Sequence, residues 1–210
     1  MAKKSIVVPK DIPSEEKIKN AARRVFHKKG FVATRTRDIA EEAGINLALL
    51  NYYFRSKKKL FDIIMLESLQ GFIGSMKDVF NNETTSLENK LEVLVNNYIN
   101  LLIENPDIPL FIFSEVRTNP KELVSKIDIK KHVFKSYFFK QFQSHVKEGK
   151  IAKIHPLHFM MNVVGMIVFP FIMSPGIIAV GDIKQSDFNN LMMQRKELIP
   201  KWVNAILKIK

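Results

Sequence analysis

The chain has no cysteine among its 210 residues. That excludes disulfides, thiolate metal sites and a cysteine nucleophile, and it suits a reducing, cytoplasmic setting, which is the expected location. Acidic residues are few beside basic ones, 21 Asp+Glu against 33 Lys+Arg, for a formal net charge of +12. The imbalance is local. Residues 1–60 hold 6 acids and 15 bases, whereas residues 61–210 are near balance. A basic end on a balanced body is the pattern of a chain whose one end meets a polyanion. A merely solvated basic surface is the alternative reading.

Other absences narrow the class further. There is no phosphate loop, no serine-nucleophile motif and no paired acid/base constellation, so no enzyme is expected. No secretory segment is expected either: after the basic Met1-Ala2-Lys3-Lys4, only Ile6-Val7-Val8 precedes Pro9. The longest uncharged apolar run, Val163–Val180, is broken by Pro170, Ser174, Pro175 and Gly176. It reads as a buried helix ending in a Pro-rich turn rather than a span, so no membrane partner is expected. His155 and His158 stand three apart and His145 lies upstream, but no carboxylate completes a ligand set. No metal and no cofactor are expected.

Apolar residues do recur at helical spacing, and no strand-like alternation lasts beyond a few residues. The sequence predicts an all-α fold of about nine helices. Residues 1–12 read as a flexible basic arm, a disordered tail in preference to a minor-groove contact through Lys3, Lys4 and Lys10. Ser14–Lys29 is predicted as the first helix, capped by Ser14 and stopped at Gly30. A short helix follows, with Thr36 as its cap, and ends at Gly44. Asn46 is read as the cap of a third, Leu47–Phe54. Two short helices about a glycine turn, behind a longer one, make a helix-turn-helix within a three-helix unit. Ile39, Ala40, Ile45, Leu50 and Phe54 are its expected core. Further helices are expected from Lys57 to the Asn81-Asn82 break, from Ser86 to Asn105-Pro106, over Pro106–Thr118, and from Pro120 toward Lys147. Two more are expected from Pro156 and from Ser186 or Asp187.

The run Thr36-Arg37-Asp38-Ile39-Ala40-Glu41-Glu42-Ala43-Gly44-Ile45-Asn46, followed by Leu50-Asn51-Tyr52-Tyr53-Phe54-Arg55-Ser56-Lys57-Lys58-Lys59-Leu60-Phe61, resembles the TetR family of bacterial regulators. The upstream block with Phe26 and Gly30-Phe31 is similar too. The close likeness covers about residues 14–62. It implies a DNA-binding transcriptional regulator with its helix-turn-helix domain over 13–60 and an effector-binding and dimerisation domain over 61–210. The implied partners are double-stranded DNA with a palindromic operator, a second copy docked through the last two helices, and a small apolar or amphipathic effector. A constitutive DNA-binding or DNA-organising protein without an effector is the alternative.

The candidate DNA contacts divide by chemistry. Thr36 and Arg37, at a helix start, suit a phosphate, and Arg37 also suits a guanine edge. Asn46, Leu47, Ala48 and Leu49 form the first turn of the recognition helix and are nearly all apolar, which favours contact with thymine methyls. Asn51 stands where the family usually has tyrosine. Tyr52 and Tyr53 offer hydroxyls, and Lys57 a cation at the next helix start. For the effector, the phenylalanines concentrate between Phe111 and Phe171. Phe134, Phe138 and Phe142, read as one helical face, are candidate pocket residues together with Tyr98, Phe111 and Phe113. A packed aromatic core explains the same pattern.

Overall fold

A computed structural model describes residues 12–118, 120–128 and 130–208. The basic arm apart from Ile12, the side chain of Ser14 and the terminal Ile209 lie outside the described residues. Among the described residues every regular element is helical. The order is α1 (Ile12–Ala33), α2 (Thr36–Ala43), α3 (Leu47–Phe54), α4 (Lys57–Asn81), α5 (Leu87–Glu104), α6 (Ile108–Thr118), α7 (Pro120–Ile127), a π-helical turn (Lys130–Phe134), α8 (Tyr137–Lys147), α9 (Pro156–Ile172), α10 (Ser174–Gly181) and α11 (Gln185–Leu207). The chain divides into two compact units after Ile64, inside α4.

The first unit closes around the apolar faces of three helices and the start of α4. Ile18, Ala21, Ala22 and Phe26 of α1 are buried with Ile39, Ala40 and Ala43 of α2, and Leu50 and Phe54 of α3. Ile45 is only half-buried. Phe61 of α4 meets Phe26 edge-on at 5.1 Å and Phe31 at 4.6 Å. The α1 path differs at its end from the sequence expectation: Gly30 takes φ 72, and the chain makes one more helical turn to Ala33.

In the second unit α5 packs on α8, α9 and α11, and α6 on α7 and α9. Leu91, Val95, Ile99 and Leu102 of α5 meet a core that includes Phe142, Phe159, Ile167, Phe188, Ile199 and Val203. Lys90 is also fully buried there. Its ammonium donates to the Thr85 carbonyl at 2.9 Å and Gln141 Oε1 at 2.8 Å, and lies 4.9 Å from the centre of the Tyr137 ring. Burial lowers its pKa, partly offset by Glu83.

Two expectations are corrected here. The single helix expected from Pro120 toward Lys147 is three elements, because Asp128 adopts φ 46 and Ser136 starts a new helix. The Ser136 hydroxyl donates to the Val133 carbonyl at 2.6 Å and accepts the Phe139 N–H at 3.4 Å. Phe134 therefore precedes a break and does not share one helical face with Phe138 and Phe142. Likewise the Pro-rich end of Val163–Val180 is not a turn. Pro170 sits within α9, and after Met173 the chain re-forms a helix, α10, at 65° to α9. Prolines are tolerated in a first turn, where their missing N–H would have no helical partner, and Pro175 occupies such a position. No single helix among the described residues is long and apolar enough to cross a membrane.

Candidate nucleic-acid interface and ligand cavity

The turn between α2 and α3 is set by backbone chemistry. Gly44 adopts φ 61 and donates to the Glu41 carbonyl, while Ile45 donates to that of Ala40 at 3.0 Å. This six-to-one and five-to-two pairing satisfies the last carbonyls of α2, and its left-handed residue favours glycine. Asn46 then caps α3, its Oδ1 accepting the Leu49 N–H at 2.7 Å. At the other end of α2 the expected cap is corrected: Arg35 holds the N-cap position and Thr36 is the first helical residue. Asp38 reaches back to accept the Arg35 N–H at 2.8 Å. That bond, and then Lys29 at 3.1 Å, holds the Asp38 carboxyl below its usual range.

On α3, the four-residue spacing of Leu50 and Phe54 turns both into the core. Ala48, Asn51 and Tyr52 share the opposite, exposed face, and Tyr52 is 66% exposed. Asn46 is exposed as well, whereas Leu47, Leu49 and Tyr53 are half-buried. The Tyr52 and Tyr53 rings meet edge-on at 5.5 Å. Arg37 is exposed and Thr36 half-buried at the start of α2. These residues present hydroxyls, amides, methyl groups and one guanidinium, the groups that contact phosphates and base edges.

Lys57, the candidate phosphate contact at the start of α4, has partners within the first unit. Its ammonium donates to the carbonyls of Phe31 and Thr34, both at 2.8 Å, and lies 4.3 Å from the centre of the Phe31 ring. Two of its three protons are thus committed to the end of α1, so its ammonium braces the unit. Arg55 went unnoticed in the sequence. It is exposed at φ 53, directly after α3. The only sequence signal was its place between the recognition helix and the Lys57-Lys58-Lys59 run.

The second unit holds a cavity of about 280 Å³. Phe72, Ile73, Met76 and Phe80 of α4 line it with Leu94 and Tyr98 of α5, Ile112 and Val116 of α6, and Leu123, Val124 and Ile127 of α7. Val133, Phe138, Met160, Val163 and Val164 are also in its wall. No charged side chain is among the lining residues. Tyr98 supplies the polar atom. Burial pushes its phenol up to about 12, so the hydroxyl stays protonated. Its ring stacks on Phe72 at 4.8 Å.

Of the six sequence candidates, Tyr98 and Phe138 line this cavity, and Phe111, Phe113, Phe134 and Phe142 do not. Phe142 is spent on Phe159 at 4.6 Å, and Phe134 on Phe139 at 5.1 Å. Phe113 is 53% exposed beneath Arg117, and Phe111 is buried outside the wall. Phenylalanine density pointed to the core; the wall is mostly aliphatic. Its clearest sequence trace was the α4 stripe Leu69, Phe72, Ile73, Met76, Phe80, which also lines a solid core in many helices.

The comparisons with known proteins agree with this geometry. Residues 18–64, which hold the whole turn and both short helices, match the family model described as "Bacterial regulatory proteins, tetR family". The "Probable HTH-type transcriptional regulator YttP" of Bacillus subtilis is 26% identical over 169 residues, covering 77% of this chain and 78% of that protein. The HTH-type transcriptional repressor KstR2 of Mycolicibacterium smegmatis is 26% identical over 137 residues, covering 57% of this chain and 66% of the relative. In fold, the chain resembles the crystal structure of the regulator FadR of Bacillus subtilis, solved with stearoyl-CoA, with a TM-score of 0.56 at 20% identity. That likeness covers 88% of this chain and 96% of FadR. Residues 18–64 thus form a DNA-binding unit of the tetR type, and with related regulators along most of its length the chain is a DNA-binding transcriptional regulator.

Proposed function

We propose that the chain is a dimeric repressor of a palindromic operator, released by a small apolar or amphipathic ligand held in the second unit. The observation that carries this reading is the uncharged cavity in a chain whose other unit is a helix-turn-helix. A desolvated wall with one neutral hydroxyl favours hydrocarbon and penalises a buried charge. The KstR2 relative is named a repressor, which supports the sign of regulation, and FadR, which shares the fold, was solved with stearoyl-CoA, which supports an acyl-like ligand.

In this reading Thr36 and Arg37 hold a phosphate while Asn46, Leu47, Ala48 and Leu49 meet base edges, with thymine methyls against the apolar turn. Asn51, Tyr52 and Tyr53 extend the contact, and Lys57 positions α4 against the end of α1. Two such units must stand about 34–36 Å apart to read successive turns of DNA. The faces of α9 and α11 provide the self-association. Helix α4 is the coupling element, since it begins in the DNA-binding unit and its later turns line the cavity. Induction requires that the ligand bind the DNA-incompetent form more tightly, because equal affinity shifts nothing.

The test is a gel-shift assay with DNA from upstream of the chain's own gene at low salt, repeated with long-chain acyl compounds. The expected result is a complex that weakens with salt and dissociates on adding ligand. Absence of a complex at low salt removes the operator. A complex indifferent to every apolar ligand that fills the cavity removes the effector and leaves a constitutive DNA binder.

A further inference from the structure

The cavity wall is hydrocarbon with one exception. Leucine, isoleucine, valine, phenylalanine and methionine side chains build it, and Tyr98 alone adds a side-chain oxygen. Among its weaker acceptors, the Met76 sulfur already takes a hydrogen from Asn97 Nδ2 at 3.6 Å. Tyr98 is 9% exposed, and its hydroxyl makes no hydrogen bond among the described residues. Nor is that hydroxyl sealed within protein: the enclosed side-chain polar atoms without a partner are Thr85 Oγ1 and Arg195 Nε. The Tyr98 O–H therefore opens onto the cavity.

An unpaired donor in an apolar space is costly, and buried polar groups are nearly always paired. Water is a poor remedy here. An enclosed water typically makes about three hydrogen bonds, and the side chains of this wall offer it one oxygen. The donor is also held in place. Tyr98 stacks on Phe72 at 4.8 Å and follows Leu94, another wall residue, by one helical turn. Burial pushes its phenol up to about 12, so the group offers a proton at every ordinary pH.

The wall also restricts the charge of what can meet that proton. It holds no cation to pair with an ionised group. The cations nearby in the chain lie outside it: Arg117, next to Val116, and Lys121, one turn before Val124, are exposed. Val116, Val124 and Val164 are wall residues that reach solvent, so they mark the opening. Exposed Asp128 stands there as well, next to Ile127 of the wall. A charged head group keeps its water at such a rim and gives it up only by entering. The cavity volume of about 280 Å³ limits length. If each methylene takes the roughly 30 Å³ that a water claims in a liquid, about nine fit.

We propose that Tyr98 is the specificity-determining residue of this cavity: its O–H donates to a neutral carbonyl oxygen on a medium-length hydrocarbon, a ketone, aldehyde or ester, and the site discriminates against ionised carboxylates. This rests on the ligand-binding reading given above and narrows it to one class of ligand.

The experiment uses the full chain and N-phenylnaphthylamine, an uncharged lipophile whose fluorescence rises in apolar surroundings. Nonane, 2-nonanone and nonanoate are titrated against the bound probe at neutral pH, with the unaltered chain and with Tyr98→Phe, which keeps the ring and removes the donor. The ratio of 2-nonanone to nonane affinity is expected to be about tenfold lower in the variant, with nonane binding unchanged. Nonanoate is expected to bind the unaltered chain at least about tenfold more weakly than 2-nonanone. Should the variant fail to fold, the infrared carbonyl stretch of 2-nonanone bound to the unaltered chain decides. It is expected below the frequency of the same ketone in hexane, as for a hydrogen-bonded carbonyl. An affinity ratio that survives in Tyr98→Phe, or a stretch equal to that in hexane, overturns the inference and leaves the apolar site standing. Nonanoate binding as tightly as the ketone overturns it too. A chain that binds no N-phenylnaphthylamine overturns both this inference and the ligand-binding reading beneath it.

Discussion

The two units use apolar residues in opposite ways. In the first, the short helices close around a filled core, in which Leu50, Ile39 and Phe54 are at most 2% exposed. The helix ends at the turn are tied by a backbone cap at Gly44 and a side-chain cap at Asn46. In the second, apolar side chains wall an open cavity and cover much of α9 and α11, with Met161 and Phe169 each 59% exposed. A dense unit holds contact groups in fixed positions, which reading DNA requires. A unit with open space and uncovered apolar surface retains something to bind.

The largest expected effect tests that contrast in packing. Leu50→Ala empties a filled site, and a loss of about 2–5 kcal/mol is expected in urea unfolding. Leu94→Ala, in the cavity wall, is expected to cost less, near the lower end of that range, because its side chain already lacks neighbours on one side. Equal losses would mean that the cavity is effectively filled. Next in size, Lys57→Met removes two charge-assisted bonds to the end of α1. A destabilisation of about 1.5–3 kcal/mol is expected, with operator binding weakened only as far as the fold loosens. Should operator affinity drop while the unfolding midpoint stays put, Lys57 touches DNA after all.

Arg37→Ala and Tyr52→Ala sharpen the comparison from the DNA side. Each is expected to weaken operator binding by about 1–3 kcal/mol with no shift in melting temperature. If Arg37 meets a phosphate, its variant also lowers the salt dependence of binding by about one counterion. Unchanged affinity on fluorescence-polarisation titration removes either residue from the interface. The smallest effect is spectroscopic. Tyr98 ionises at about 12 in the folded chain, above the ordinary value near 10. The unfolded chain therefore releases this proton first, so its contribution to stability is full below pH 10 and declines as pH rises toward 12. A late phenolate absorbance step, missing in Tyr98→Phe, is expected; if all tyrosines titrate together, the cavity is wetter than its lining implies.

Much of the first unit was legible because its signals are local. Gly44 and Asn46 act within four residues of themselves, so composition and order alone locate the turn. Even here Thr36 was misplaced by one position as a cap, since Asp38 satisfies the Arg35 N–H from inside the helix. The bonds of Lys57 were not legible for a different reason: its partners, the carbonyls of Phe31 and Thr34, lie more than twenty residues away. The cavity was legible only as a supply of apolar residues. Four of six aromatic candidates lie outside its wall: Ser136 starts the helix that turns Phe142 to Phe159, while Phe113 of α6 faces solvent under Arg117.

By itself, the sequence determined the helical class, the helix-turn-helix with the Gly44 and Asn46 caps at its turn, and the concentration of positive charge at one end. Each depends on periodicity or on bonds closed within a turn. Only the tertiary structure decided which apolar side chains fill the core and which border empty space, and where Lys57 spends its protons. It also decided that Val164 lies both in the cavity wall and on the exposed face of α9. Those outcomes depend on which helices meet, and residues far apart in the chain acquire neighbours only when it folds.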